Sequence, residues 1–182
     1  MLLFFDYSDP LSWAVEVLAR RAPSDSVSLE RFPFESEQTR EEWSARTART
    51  GELLEQLGVP WISGSAPVKS QKAFELAFHA AEQGCFDLVH TAIFEAHFTS
   101  GRDIGRIADL VEVAQRAGLD PSETKAVLDV DRYAEAVSSW LGRAEAAGIA
   151  ATPTLSSGTR RLEGLDAVSE LERIVGLEPR ED

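Results

Sequence analysis

A chain of 182 residues, 43% of them hydrophobic, is long enough to bury the core of one good-sized domain. Its 31 acidic against 18 basic side chains give a formal net charge of -13. That balance argues against nucleic acid and anionic membranes as partners, because neutralising phosphates needs a basic face. The one cysteine, Cys85, excludes an intramolecular disulfide and a cysteine-only metal cluster.

The apolar run from Leu2 to Tyr7 predicts a buried strand. It is broken at Asp6 and has no basic stretch before it, so it is too short for a signal peptide or a membrane span, and a cytoplasmic location is expected. Asp9-Pro10 then predicts a helix start, since Asp favours the N-cap and Pro the first helical position. The helix should run over residues 10–22, with Leu11, Ala14, Val15, Leu18 and Ala22 on its inner face. This places a helix N-terminus, with free N–H groups and partial positive charge, at the end of a strand. Asp9 and Ser12 lie in that turn and are the candidate catalytic residues. Ser8, Pro10 and Trp13 flank them as candidate ligand-binding residues. The helix dipole is expected to hold the Asp9 carboxyl low.

Pro23-Ser24-Asp25 ends the helix, and residues 27–34 predict a second strand. Strand, helix, strand over so few residues implies a parallel right-handed crossover. Thr39 and Glu42 form a capping box for a helix reaching Leu57, with a polar face dense in Arg and Glu. Residues 58–67 read as a loop without period, in which Trp61 is either a cover for the site or an apolar plug. Helices follow over 73–83, 86–98, 104–116, from Asp120-Pro121, and over 132–147. Residues 153–156 and 159–162 predict a hairpin, and a last helix starts at Gly164. The tail after Gly176 should fray. The expected division is a discontinuous α/β domain of residues 1–37 and 149–182, with residues 38–148 as an all-helical insertion between the second and third strands.

Elsewhere the bland readings prevail. Cys85 opens a helix but has no second thiol to work with. His90 and His97 stand seven apart, where metal ligands on a helix more often sit three or four apart, so His79, His90 and His97 are read as packing residues and no metal is expected. Arg31, Arg102 and Arg160 are read as ion-pair residues rather than anion ligands.

Taken in order, several segments resemble the DsbA-like family of the thioredoxin fold, in particular its FrnE-type oxidoreductases and 2-hydroxychromene-2-carboxylate isomerases. Asp6-Tyr7-Ser8-Asp9-Pro10-Leu11-Ser12-Trp13 resembles the strand end and Cys-Pro-x-Cys motif. Arg31-Phe32-Pro33-Phe34, Ala80-Ala81-Glu82-Gln83-Gly84, Phe94-Glu95-Ala96-His97-Phe98 and Gly101-Arg102-Asp103-Ile104 resemble the following segments. Ile149-Ala150-Ala151-Thr152-Pro153-Thr154 resembles the stretch that carries the family's cis-proline. The resemblance implies a βαβ plus ββα sheet with Thr152 and Pro153 facing Asp9, and a backbone at Thr152 that pairs with a peptide or a glutathione cysteinyl group.

Where the family has two cysteines, this chain has Asp9 and Ser12. Disulfide exchange needs one thiolate to attack and a second thiol to resolve, so the dithiol reaction is excluded here by the residues. The expectation is a degenerate, redox-inactive oxidoreductase homologue that keeps a cleft for a peptide or small thiol and needs no cofactor. The alternative is a glutathione-dependent isomerase or transferase, although an anionic Asp9 would repel a thiolate at contact distance. A third reading is a module that forms a homodimer through an apolar helical face.

Overall fold

The N-terminal apolar run becomes the second strand of a four-stranded sheet. The computed structural model describes residues 1–23, 26–35, 39–62 and 68–177. In chain order these form β1 (Leu2–Phe5), α1 (Pro10–Arg21), β2 (Glu30–Pro33), α2 (Arg40–Gln56), α3 (Gln71–Glu82), α4 (Phe86–Phe98), α5 (Ile107–Arg116), α6 (Pro121–Asp129), α7 (Ala134–Ala146), β3 (Thr154–Ser157), β4 (Arg160–Glu163) and α8 (Leu165–Val175). The sheet order is β2-β1-β3-β4. β1 pairs with β2 in parallel, Leu2 opposite Glu30 and Phe5 opposite Pro33. It pairs with β3 antiparallel, Leu3 opposite Leu155, and β3 and β4 form the expected hairpin. The two β pieces of the sequence thus join in one sheet, with the run of helices between its second and third strands.

The element boundaries differ from expectation for identifiable reasons. β1 ends at Phe5 because the Asp6 carboxylate accepts the Ser8 N–H at 2.8 Å and the Asp6 carbonyl accepts the Asp9 N–H, which turns the chain. β2 begins at Glu30, which lies opposite Leu2 and donates its N–H to the Met1 carbonyl. α5 starts at Ile107 because Asp103 first closes a turn, its side chain accepting the Gly105 N–H and its carbonyl the Arg106 N–H. α7 starts at Ala134, after Asp131 has taken a left-handed φ of 54° that a helix cannot hold. Parts of three expected features, the break at Ser24-Asp25, the loop at 63–67 and the tail from 178, lie outside the described residues.

α1 departs furthest from a one-faced helix. Every residue from Pro10 to Leu18 is buried, whereas Ala22, expected on the inner face, is half-buried just past the end. The helix is enclosed by the sheet, α2, α4 and α8. Leu3, Phe5, Tyr7, Leu11 and Trp13 join Phe74, Ile93, Phe94, Leu128 and Leu171 in one core, so the sheet and the inserted helices share their apolar interior. Trp13 stacks on Phe94 with centroids 5.4 Å apart, and Tyr7 lies 4.9 Å from the same ring. On the other sheet face Phe4 packs with Phe34, Ala144 and Ile149, which seats the end of α7 there.

α2 carries the capping box read from Thr39 and Glu42. The Glu42 N–H donates to Thr39 Oγ1 at 3.1 Å, and the Thr39 N–H donates to the Glu42 carboxylate at 2.8 Å. Removing the cap as Thr39→Ala should cost about 1 kcal/mol, measurable as a shift in urea midpoint at unchanged slope. Trp61 stacks on Phe98 at 5.3 Å and lies so close to α2 that a Cβ on Gly51 would fall 2.9 Å from its Nε1. It is an apolar plug between α2 and α4.

Candidate functional site

The first turn of α1 is folded around the Asp9 carboxylate. As N-cap, Asp9 accepts the Leu11 N–H at 3.3 Å and the Ser12 N–H at 3.1 Å, and Ser12 Oγ donates to Asp9 Oδ2 at 2.8 Å. Ser12 Oγ in turn accepts the Asp6 N–H at 3.3 Å. Asp9 and Ser12 are both 0% exposed. Pro10, having no N–H to satisfy, fits the first helical position without loss.

Two further carboxylate contacts set the electrostatics. Arg46, from α2, donates through Nη1 to Asp9 Oδ1 at 3.1 Å and to the Thr152 carbonyl at 2.5 Å. The Thr152–Pro153 peptide bond is cis, and both residues are buried. Arg46 therefore ties the start of α1 to the loop before β3. Asp6 lies one turn away, 1% exposed, its Oδ1 accepting from the Ser8 N–H and from the hydroxyls of Ser8 and Ser70. Trp43 closes the same region from α2, donating Nε1–H to the Ser8 carbonyl at 3.4 Å.

Burial raises the Asp6 carboxyl to about 7; the hydrogen bonds from Ser70 and Ser8 pull down, while Asp9 and Glu35 push it further up. Burial also raises Asp9 above the usual carboxylate range, against the pull of Arg46 and Ser12. The expectation that the helix dipole would hold Asp9 low is reversed, because a carboxylate with no exposed surface loses more in hydration than one helix end returns. Both carboxyls thus lie above their ordinary values, and of the two it is Asp9 that has the Arg46 guanidinium as its partner.

The structure thus brings Ser8, Asp9, Pro10, Ser12, Thr152 and Pro153 to one place. Trp13 points elsewhere, into the core against Phe94, with Arg20 over its ring at 4.8 Å. Arg46, Asp6, Ser70 and Trp43 are the parts sequence reasoning missed. Arg46 was one of many arginines on a charged helix, and nothing local distinguished it. Chemically the cluster is an ion pair and a set of hydroxyls around a closed turn, with no thiol in it. Arg46, its side chain 22% exposed, is the group that stands between Asp9 and solvent.

The other singled-out residues have structural partners. Arg31 forms a two-point ion pair with Glu16, Arg102 pairs with Asp109 and Glu112, and Arg160 pairs with Glu170. His90 Nδ1 meets the Tyr7 hydroxyl at 2.8 Å and its Nε2 stands 3.0 Å from Glu16. Cys85 is the half-buried N-cap of α4. Among the described residues no group of three or more His, Cys, Asp and Glu is placed to hold a metal ion, and no helix is long and apolar enough to cross a membrane.

Comparison with known proteins agrees with this architecture. A probable DsbA oxidoreductase from Streptomyces coelicolor superposes with a TM-score of 0.73 at 18% identity, covering 100% of this chain and 92% of its own. A 2-hydroxychromene-2-carboxylate isomerase gives 0.75 at 16% identity, covering 97% and 95%. The cytosolic disulfide reductase DsbM from Pseudomonas aeruginosa gives 0.63 at 14% identity, covering 96% and 94%. At these identities the likeness is one of fold. No curated protein matches the sequence. The family described as the DSBA-like thioredoxin domain matches residues 2–176, nearly the whole chain. With the strand order, the helices between β2 and β3 and the Asp9–Thr152 juxtaposition in place, the chain belongs to the DSBA-like thioredoxin domain family.

Proposed function

We propose that this is a redox-inactive member of the family, a cytoplasmic binding protein whose cleft between Asp9 and Pro153 takes a peptide or a small thiol. The observation that carries the reading is Arg46 bridging Asp9 and the Thr152 carbonyl. Asp9 and Ser12 stand at the two positions where the resemblance expects thiols, and neither can exchange a disulfide. A ligand reaching Thr152 has to displace Arg46, and so has to offer the guanidinium another acceptor. A peptide or a thiol bearing a carboxylate does that, with two-point geometry that Arg favours.

One observation favours the second reading, a glutathione-dependent isomerase or transferase. Arg46 neutralises the charge by which Asp9 would repel a thiolate, and is partly exposed. Two measurements separate the readings. Insulin reduction by dithiothreitol should proceed at the uncatalysed rate, and clear acceleration would overturn the redox-inactive claim. Titration with glutathione and its S-methyl derivative, read by tryptophan fluorescence, to which Trp43 beside the site contributes, should saturate for both if the site only binds. Saturation with the free thiol alone supports the enzymatic reading, and no shift with either at millimolar concentration leaves peptides as the ligand class.

A further inference from the structure

A concavity lies at the outer edge of β2, and none of the residues around Asp9 lines it. Its volume is about 190 Å³. The walls are aromatic, Phe5 from the sheet, Phe74 and Phe78 from α3, Phe86 from α4 and Trp140 from α7. Its charged lining residue is Arg31. Arg31 uses Nε and Nη2 on Glu16 at 2.7 and 2.9 Å, while among the described residues Nη1 makes long contacts, 3.5 Å to the Leu29 carbonyl and 3.7 Å to the exposed Asp87. A guanidinium carries five N–H donors, so Nη1 keeps donor capacity for a ligand.

The guanidinium is held from behind by a buried chain. Glu16 is 2% exposed and grips Arg31 at two points; His90, also 2% exposed, stands 3.0 Å from Glu16; Tyr7, fully buried, meets His90 at 2.8 Å. Ionic groups buried in this way add little net stability, and apolar residues of the same volume would serve the core as well. What the chain does achieve is a fixed orientation for one donor at the mouth of an aromatic pocket. A lined cavity with a few placed polar groups is the usual form of a small-molecule site.

We infer that this pocket binds a neutral, single-ring aromatic molecule carrying one hydrogen-bond acceptor, such as an aryl ketone or amide, with the ring against Phe74, Phe86 and Trp140 and the acceptor on Arg31. Volume sets the size: a cavity of about 150 Å³ holds benzene, so this one holds a ring and a short substituent. Charge sets neutrality. Glu16 already offsets Arg31 and Asp87 adds a second negative group, so an anion gains little, while a cation meets Arg31. The aromatic walls favour offset or edge-on ring contacts. The inference is independent of the Asp9 cleft.

The test titrates the full-length protein with acetophenone, ethylbenzene and sodium benzoate by ligand-observed NMR, and repeats the first titration on Ala81→Phe. Ala81 lines the pocket and is exposed, so the larger ring obstructs the site without burdening the core. Saturable acetophenone binding is expected, with ethylbenzene about tenfold weaker for want of an acceptor, benzoate weaker as well, and the Ala81→Phe protein, with an unchanged circular dichroism spectrum, failing to bind. Absence of saturable binding, undiminished binding to Ala81→Phe, or ethylbenzene or benzoate binding as tightly as acetophenone would each overturn the inference.

Discussion

Replacing Arg46 by Met should destabilise the protein by about 3 kcal/mol at pH 7. The expected cost comes from the buried Asp9 carboxylate, which loses the guanidinium it is paired with. Breaking a buried pair from one side costs about 3–5 kcal/mol, and the low end applies because Arg46 is 22% exposed and partly screened. For a domain of this size the melting temperature should fall by roughly 6–12 °C. Met keeps most of the aliphatic stem, so lost packing contributes little. Asp9→Asn should recover most of that loss when combined with Arg46→Met, since the amide retains an acceptor for the first turn of α1 and carries no charge. A loss below about 1 kcal/mol in the single variant, in the range of exposed pairs, would show that water rather than Arg46 stabilises the Asp9 carboxylate.

The second large effect is in pH. Asp6 has its folded pKa raised to about 7 from an ordinary value of 3.8. Between those two values the folded chain holds a proton that the unfolded chain has released, so stability falls as pH rises through that window. The full shift is worth about 4 kcal/mol. Asp9, raised in the same direction, adds to the decline. Glu16 acts oppositely. Burial would raise it, but His90 and Arg31 hold it down to about 2 from 4.5, so its contribution of about 3 kcal/mol is present above pH 4.5 and is lost as pH falls through 2. Together these place maximal stability near pH 4–5, below the usual range. Asp6→Asn should flatten the decline between pH 4 and 7 by about 4 kcal/mol relative to the parent. General repulsion from the net charge of -13 also eases toward acid pH, but both proteins share it, and the difference between their curves isolates Asp6. Parallel curves would show that Asp6 ionises normally.

The sequence carried its local chemistry plainly. Asp9-Pro10, Thr39 with Glu42, and Asp120-Pro121 each specify a helix start within four residues, and all three caps form. The βαβ and ββα patterns, with the motif order, were enough for the fold. What escaped was set by contacts between segments remote in sequence. Arg46 is separated from Asp9 by 37 positions and from Thr152 by 106, and its neighbours on α2 are also charged. Glu16 is buried because α1 is packed on more than one face, and its partners Arg31 and His90 come from other elements. The start of β2 was illegible for a similar reason, because it is set by the pairing of Glu30 with Leu2 across the sheet.

The antiparallel partner of β1 also bears on how the molecule is made. On the ribosome β1 emerges before the other strands and can pair with β2 as soon as that follows, but its other edge is filled by Thr154, Leu155 and Ser156. Until residues 154–156 have been synthesised, Leu2–Phe5 presents a row of unsatisfied backbone groups flanked by apolar side chains. Such an edge is open to pairing with other nascent chains. The helices encoded between the two halves of the sheet, which share the core of its inner face, are the material available to shelter that strand during translation.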